Sequence, residues 1–180
     1  MRCSIFIATS LDGFIARKNG GLDWLPGSDG DIGGEDYGFH EFFMSIDTLV
    51  VGRKTYELAS TFTEWPYRGK RVVVLSSSFP QMTTTIAEGV EGTSASPNEL
   101  IQRLEASGSA HVYIDGGKTI QSFLRADLIQ EMTITRIPVL IGEGISLFGS
   151  LVHDTKLRHL STRSFESGFV QSRYQVMHST

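Results

Sequence analysis

Short apolar stretches rich in β-branched residues alternate along this chain with stretches of helical periodicity. Apolar runs of about four to eight residues are typical of buried strands, whereas apolar positions at i, i+3, i+4 and i+7 form one face of a helix. The pattern predicts strands at residues 2–9, 14–16, 48–51, 71–75, 111–114 and 131–136, and a terminal β-hairpin of 156–165 and 169–177. It predicts helices at residues 39–46, 54–60, 97–106 and 119–124.

Two of the predicted helices carry further signals. Residues 96–99 (SPNE) form a capping box with proline at the first helical position. In the first helix, Phe39, Phe42, Phe43 and Ile46 lie on one face. Core packing is the ordinary role of such an aromatic stripe, and a ligand platform is the alternative.

The order of the elements predicts an α/β fold with a single domain, residues 1–180. Parallel crossovers followed by an antiparallel end indicate a mixed central sheet of about eight strands, flanked by about four helices, with a C-terminal antiparallel β-hairpin. Residues 17–34 are rich in glycine and contain no strand or helix pattern. A loop of this length in a compact domain is usually functional or disordered.

Composition narrows the classes of function. With 16 basic and 20 acidic residues the net charge is −4, which argues against nucleic acid as the main partner. The single cysteine, Cys3, lies in the first predicted strand, so we expect a buried hydrophobe and no intrachain disulfide. No apolar run approaches the roughly 18 residues of a membrane span, and the start of the chain lacks a signal-peptide layout. We therefore expect a cytoplasmic protein with no membrane partner.

Two strand-to-helix turns have the composition of phosphate-binding sites. The apolar residues 49–51 lead into 52–55 (GRKT), and 112–114 lead into 115–119 (DGGKT). Glycine allows a tight turn, and a helix start offers free N–H groups and the positive end of its dipole to an anion. Each turn adds a cation and a threonine hydroxyl. Two such turns in one small domain predict a ligand with several phosphates, and a dinucleotide is the obvious candidate.

Serines 76–78 follow the next strand along the chain. Because ligands of open α/β sheets lie beyond the carboxyl ends of the strands, these hydroxyls would complete a site for the 2′-phosphate that separates NADPH from NADH. The guanidinium of Arg53 suits a bidentate grip on that phosphate. For the serines, the alternative is a hydroxyl-rich turn that binds no ligand. For the turn that contains Arg53, the alternative is a basic helix start exposed to solvent. Neither the Rossmann nor the Walker glycine pattern occurs, so a dinucleotide would be bound by another fold.

Five segments in order carry a resemblance to a known family: residues 10–16 (SLDGFIA), 21–25 (GLDWL), 51–57 (VGRKTYE), 74–78 (VLSSS) and 114–117 (IDGG). Together they resemble the dihydrofolate reductase superfamily. The chain is most similar to the branch that contains the reductase domain of the bifunctional riboflavin-biosynthesis deaminase–reductase, because residues 138–148 (PVLIGEGISLF) resemble its P-V-x-x-G-x-G-x-x-L-F segment. The resemblance covers nearly the whole chain and implies a dihydrofolate reductase-like three-layer fold.

The resemblance also implies an NADPH-dependent reductase with the nicotinamide lying across the sheet. It implies that Ala8 and Ile15 line the nicotinamide pocket, and that Trp24 belongs to an active-site loop that closes over the ring. The implied cofactor contacts lie in the two turns and at the strand end between them: Gly52, Arg53, Lys54, Thr55, Ser76, Ser77, Gly116, Gly117, Lys118 and Thr119.

Residues on the substrate side depart from dihydrofolate reductases. Counting back from Gly52 places Asp36, with Glu35 beside it, where those enzymes have the acid that supports protonation of the pterin. Stabilisation of a helix start through its dipole is the alternative role. Residues 65–71 replace the segment that holds the glutamate tail of folate, and they face either a substrate phosphate or solvent. Three further positions differ: Asp23, Asp115 and Ile120 replace a proline, a glycine and a tyrosine. These differences weaken the case for folate as the substrate.

The leading interpretation is an NADPH-dependent reductase of a small heterocycle, of the 5-amino-6-(5-phosphoribosylamino)uracil reductase type. Dihydrofolate reduction is one alternative, and a non-catalytic nucleotide-binding module is another of a different class. The five histidines show no metal-ligand spacing, so no metal site is predicted. Pairing of an edge strand near the terminal hairpin across a two-fold axis would give a homodimer.

Overall fold

The computed structural model of the protein describes residues 1–27, 34–77 and 89–178. In chain order the elements of these residues are β1 (Arg2–Ser10), β2 (Phe14–Ala16), α1 (Phe39–Ser45), β3 (Thr48–Gly52), α2 (Arg53–Ala59), β4 (Arg71–Leu75), β5 (Val90–Thr93), α3 (Pro97–Ala106), β6 (His111–Asp115), α4 (Gly117–Arg125), β7 (Glu131–Ile137), β8 (Ile145–Ser146), β9 (Lys156–Ser164) and β10 (Val170–Met177). None of the helices in these ranges has the length and apolar character that a membrane crossing requires.

Eight strands form one mixed sheet in the order β5-β4-β3-β6-β1-β7-β10-β9. The six strands from β5 to β7 run parallel, so their carboxyl ends share one edge of the sheet. The last two strands pair as an antiparallel hairpin, and β10 is antiparallel to β7. The predicted α/β architecture with its mixed sheet and C-terminal hairpin is confirmed.

The membership of the sheet differs from the prediction in two places. The short strand β2 leaves the main sheet and pairs with β8 in a separate two-stranded sheet. The eighth strand of the main sheet is β5, at its edge beside β4. Residues 90–93 (VEGT) hold one apolar residue and a glycine, so they lack the apolar run by which the other parallel strands are recognised.

Each face of the sheet carries its own apolar core. On one face, α3 and α4 pack over a cluster that contains Ile5, Val50 and Ile114. On the other face, Phe42 and Phe43 of α1 pack against a cluster that contains Leu49 and Tyr113. The aromatic stripe of the first helix therefore serves core packing, as expected. Cys3 is buried in the first cluster, and its burial raises the pKa of the thiol to about 12.

The capping box predicted at the start of α3 is confirmed. The Ser96 hydroxyl accepts the backbone N–H of Glu99, and the Glu99 carboxylate accepts the backbone N–H of Ser96 at 2.8 Å. This reciprocal pairing satisfies two N–H groups that the first turn of a helix leaves without partners.

Candidate functional site

The two glycine turns are direct neighbours at the carboxyl edge of the sheet. Strands β3 and β6 pair in parallel with Val51 opposite Asp115. Each strand therefore ends beside the other, and each is followed at once by a helix, since Gly52 precedes α2 and Gly116 precedes α4. The expectation that both turns belong to one site requires this arrangement.

The turns also interlock. A Cβ atom added at Gly52 would lie 2.8 Å from the Thr119 hydroxyl, and one added at Gly116 would lie 2.6 Å from the Thr55 hydroxyl. Each threonine thus contacts the glycine of the opposite turn, and a larger residue at either glycine would force the turns apart. The backbone of Gly116 has φ +92°, a region that residues with side chains rarely adopt.

The helix starts present polar groups and cations at this edge. The N-cap residue of both α2 and α4 is a glycine, so no N-cap side chain accepts the first N–H groups of either helix within the described part of the chain. Lys54 and Lys118 are exposed. The Arg53 guanidinium forms an ion pair with Glu57 at 2.6 Å. The edge therefore combines helix-dipole and side-chain attraction for an anion.

The predicted serines lie one strand further along the same edge. Leu75 of β4 is opposite Gly52 of β3, so Ser76 and Ser77 follow directly beside the first turn. The backbone N–H of Ser76 donates to the Thr93 carbonyl at 2.9 Å, and Ser77 is exposed. Residue 78, the third predicted serine, lies outside the described residues.

A cavity of about 740 Å³ lies beyond β5 and beside α3, away from the two glycine turns; its lining residues are Thr93, Ser94, Ala95, Glu99, Gln102, Arg103 and Ala106.

The carboxyl half of β1 is partly open although β1 lies inside the sheet. Phe6, Ile7 and Ala8 are all partly exposed. Ile15 of β2 lies against the second turn, since a Cβ at Gly117 would lie 2.8 Å from its Cδ1. The structure therefore brings Ile15 to the paired turns and leaves residues 6–8 of β1 partly accessible, whereas Thr9 and Ser10 at the end of the strand are buried.

Trp24 covers the other side of this opening. It is buried with Ile137 and Phe169, and Ala8 and Tyr37 pack against the same cluster. Its indole N–H has no hydrogen-bond partner within the described residues. The segment that carries Trp24 is held by an ion pair between Arg17 and Asp23 at 2.6 Å, a role for Asp23 that the sequence did not indicate.

Asp36 and Glu35 bind the backbone at the start of α1. The Asp36 carboxylate accepts the N–H groups of His40 at 2.8 Å and Gly38 at 2.9 Å, and these bonds lower its pKa. Glu35 accepts the N–H of Tyr37 at 2.9 Å. These contacts fit the alternative role, in which Asp36 and Glu35 stabilise the start of α1. A role of Asp36 in proton transfer stays a prediction.

Asp115 has a carboxyl group with a perturbed pKa, although its sequence position indicates only a difference from dihydrofolate reductases. Desolvation raises its pKa to about 6, although the N–H of Gly116, at 2.8 Å, and the Tyr113 hydroxyl favour the charged form. The side chain lies on the sheet face of α1, at the end of β6. The available signal was an aspartate placed directly after a buried strand and before two glycines.

The segment at residues 65–71 packs against the protein. Trp65 makes edge contacts with Tyr56 and Tyr67. Lys70 donates to the Ile46 carbonyl at 2.6 Å, and Arg71 forms an ion pair with Glu91 at 2.8 Å. Two of its three cations are therefore engaged by protein groups.

Comparison with known structures defines the class to which this fold belongs. Dihydrofolate reductase from Enterococcus faecalis, in a complex with NADP(H), has the same fold, with a TM-score of 0.66, 19% identity, and coverage of 97% of this chain and 96% of that chain. The protein is thus a dihydrofolate reductase-like α/β domain.

The family is narrower than the fold. A model of the RibD C-terminal domain matches residues 3–171, and the chain belongs to this family. Uncharacterized protein YwjB of Bacillus subtilis (strain 168) is 36% identical over 167 residues, which are 89% of this chain and 90% of that protein. The resemblance inferred from the sequence is confirmed.

Two further solved structures are similar over nearly the whole chain. A Shewanella sp. PV-4 protein, named as a candidate riboflavin biosynthesis protein, has a TM-score of 0.87 and 38% identity, covering 99% of this chain and 100% of that chain. The diaminohydroxyphosphoribosylaminopyrimidine deaminase/5-amino-6-(5-phosphoribosylamino)uracil reductase of Thermotoga maritima has a TM-score of 0.72 and 16% identity, covering 98% of this chain and 56% of that chain.

Proposed function

We propose that this protein is an NADPH-dependent reductase of a small heterocyclic substrate. The observation that carries the proposal is the interlocking of the two glycine turns, together with the partly exposed apolar residues 6–8 of β1. A site of this form offers two helix starts to a pyrophosphate and an apolar surface to a planar ring.

The residues at the edge fit such a cofactor. Thr55 and Thr119, with the backbone N–H groups of both turns, would hold the pyrophosphate, while Arg53 and the serines at the end of β4 would face the 2′-phosphate. Ala8 and Ile15 would line the ring pocket. NADPH, when bound, supplies the hydride, and the protein supplies orientation and exclusion of water.

The proposed substrate class is a ribosylaminopyrimidine, of the type that 5-amino-6-(5-phosphoribosylamino)uracil represents. Membership of the RibD C-terminal domain family supports this class. Dihydrofolate is the alternative substrate, and it is supported by the fold alone.

Asp115 is the group that we propose to hold a proton for the reduction. It lies beside the second turn on the sheet face that also carries Ala8, and its desolvation keeps the carboxyl protonated up to about pH 6. Asp36, by contrast, binds two backbone N–H groups that favour its charged form. General acids work best when their pKa lies close to the working pH, which favours Asp115.

A fluorescence titration with NADPH and NADH, followed by absorbance assays of NADPH oxidation, tests the proposal. We expect tighter binding of NADPH and its oxidation by a ribosylaminopyrimidine. Binding without oxidation by any pyrimidine or pterin would favour the nucleotide-binding module instead. Failure to bind either nucleotide would refute the cofactor assignment.

We also propose a homodimer through the sheet edge at β9. Every residue of this nine-residue strand is exposed, and its outer side has no paired strand within the described residues. Light scattering during size-exclusion chromatography should give twice the mass of one chain, and a monomer would contradict this assembly.

A further inference from the structure

Two buried side chains near Ala8 each have a hydrogen-bond donor that finds no acceptor among the described residues. The first is the indole N–H of Trp24, a side chain that is only 9% exposed. It belongs to the apolar cluster of Ile137 and Phe169, against which Ala8 packs. Because buried N–H groups nearly always have partners, this donor is available to an acceptor of a bound molecule.

The second donor is the hydroxyl of Thr135 on β7, a residue that is 5% exposed. Thr135 is directly opposite Ala8 across the β1–β7 pairing, so both side chains lie on the same sheet face. Its oxygen accepts a hydrogen bond from the Gln171 amide at 2.9 Å. Among the described residues the Thr135 proton has no acceptor.

Gln171 holds the Thr135 hydroxyl in this donor role. Its Nε2 also donates to the Tyr37 carbonyl at 2.9 Å, so the amide nitrogen is held between two oxygens. The Tyr37 ring in turn stacks on Phe169, with 4.9 Å between ring centroids. With the amide as the donor, the proton of Thr135 is the atom left for a ligand.

We propose that the bound heterocycle presents carbonyl oxygens to these two donors, one to Trp24 and one to Thr135. This deepens the proposed function, on which it rests for the heterocyclic nature of the ligand. A pyrimidine with two ring carbonyls provides the required acceptors. A diaminopyrimidine places amino donors at the same positions, where they would meet donors of the protein.

Nuclear magnetic resonance of the indole N–H groups tests the proposal without requiring turnover. The chain has two tryptophans, so the variant Trp65→Phe assigns the signal of Trp24. The probes are 6-aminouracil and 2,4,6-triaminopyrimidine, which share one skeleton and differ in the carbonyl groups, each titrated with and without NADP⁺. We expect 6-aminouracil to move the Trp24 indole proton downfield and triaminopyrimidine to leave it in place.

Variants of Thr135 test the second donor. Thr135→Val should weaken the binding of 6-aminouracil about twofold to tenfold, because one neutral hydrogen bond is lost. Thr135→Ser keeps the hydroxyl and should retain the affinity. Thr133→Val is the matched control, since Thr133 lies on the same strand and face, opposite Phe6, and should leave binding unchanged.

Three results would overturn the assignment: an unmoved Trp24 signal with 6-aminouracil, a stronger response to triaminopyrimidine, or equal binding by Thr135→Val and the wild type. Absence of NADP⁺ binding would count against the reductase alone, because the response of the indole signal to the pyrimidines is read independently.

Discussion

Replacing Gly116 by alanine tests whether the two turns depend on each other. The added Cβ would lie 2.6 Å from the Thr55 hydroxyl, closer than a Cβ approaches other atoms in real structures. The backbone at Gly116, with φ +92°, also disfavours any side chain. The substitution therefore combines two separable costs, backbone strain and a steric clash.

The magnitude of each cost follows from its cause. Strain at such a backbone position costs about 1–3 kcal/mol, and overpacking of a filled site costs about 1–3 kcal/mol. Gly116→Ala should therefore lower the free energy of unfolding by about 2–6 kcal/mol. Gly108→Ala is the matched control, because Gly108 has φ +89° but no atom of the described residues would lie within 4 Å of the added Cβ. It should show the cost of strain alone.

Chemical denaturation of the two single variants and of the double variant with Thr55→Ala separates the terms. Removing the Thr55 hydroxyl should relieve the clash and recover the stability that the clash costs. The double-mutant cycle should therefore give a coupling energy of about 1–3 kcal/mol. The affinity for NADPH should fall in Gly116→Ala and remain unchanged in Gly108→Ala. Additive effects of Gly116→Ala and Thr55→Ala would refute the interlocking of the turns.

Three further predictions concern individual side chains. Arg53→Ala should weaken the binding of NADPH about tenfold or more and the binding of NADH little, because a charge-assisted hydrogen bond to the 2′-phosphate contributes about 1.5–3 kcal/mol. Equal losses of affinity for the two nucleotides in fluorescence titrations would contradict this role. Asp115→Asn should lower kcat and abolish a fall in rate as the pH rises through about 6. Asp36→Asn keeps a capping side chain and should leave the rate unchanged, because Asp36 binds backbone N–H groups; a lower rate in Asp36→Asn would assign the proton transfer to Asp36. Burial, and to a lesser extent the positive charge of the nearby Arg2, lowers the pKa of His111 below the value of about 6.5 that it has in the unfolded chain. Its neutral form stabilises the fold above that pH, and this stability is lost as the pH falls below about 6.5. His111→Gln should flatten the dependence of thermal stability on pH in this range. The same slope in the variant and the wild type would exclude His111 as the source of this dependence.

Three of the parallel strands, β3, β4 and β6, were predictable because each is a nearly continuous apolar run. Residues 48–51, 71–75 and 111–114 are buried on both faces of the sheet, and burial on both faces requires such runs. Strand β5 was not predictable, since Val90 is its only large apolar residue and its place beside β4 depends on tertiary pairing. The capping box at Ser96 was recognised because all its contacts are local in sequence.

The site was predictable in its parts but not in its assembly. The composition of the turns at Gly52 and Gly116 indicated phosphate binding, yet their contact depends on the pairing of β3 with β6, which are far apart in the chain. The raised pKa of Asp115 depends on how deeply the fold buries its carboxyl group, which no local pattern encodes. The indole N–H of Trp24, which has no partner in the part of the chain that the structure describes, likewise becomes evident only once the surrounding cluster is assembled.

A crystal structure of the protein with NADPH would show whether both turns bind one nucleotide. We expect the pyrophosphate to contact backbone N–H groups of both turns, at residues 52–55 and 116–119, with the nicotinamide beside Ala8. Electron density for the nucleotide at only one of the turns, or at another edge of the sheet, would contradict this expectation.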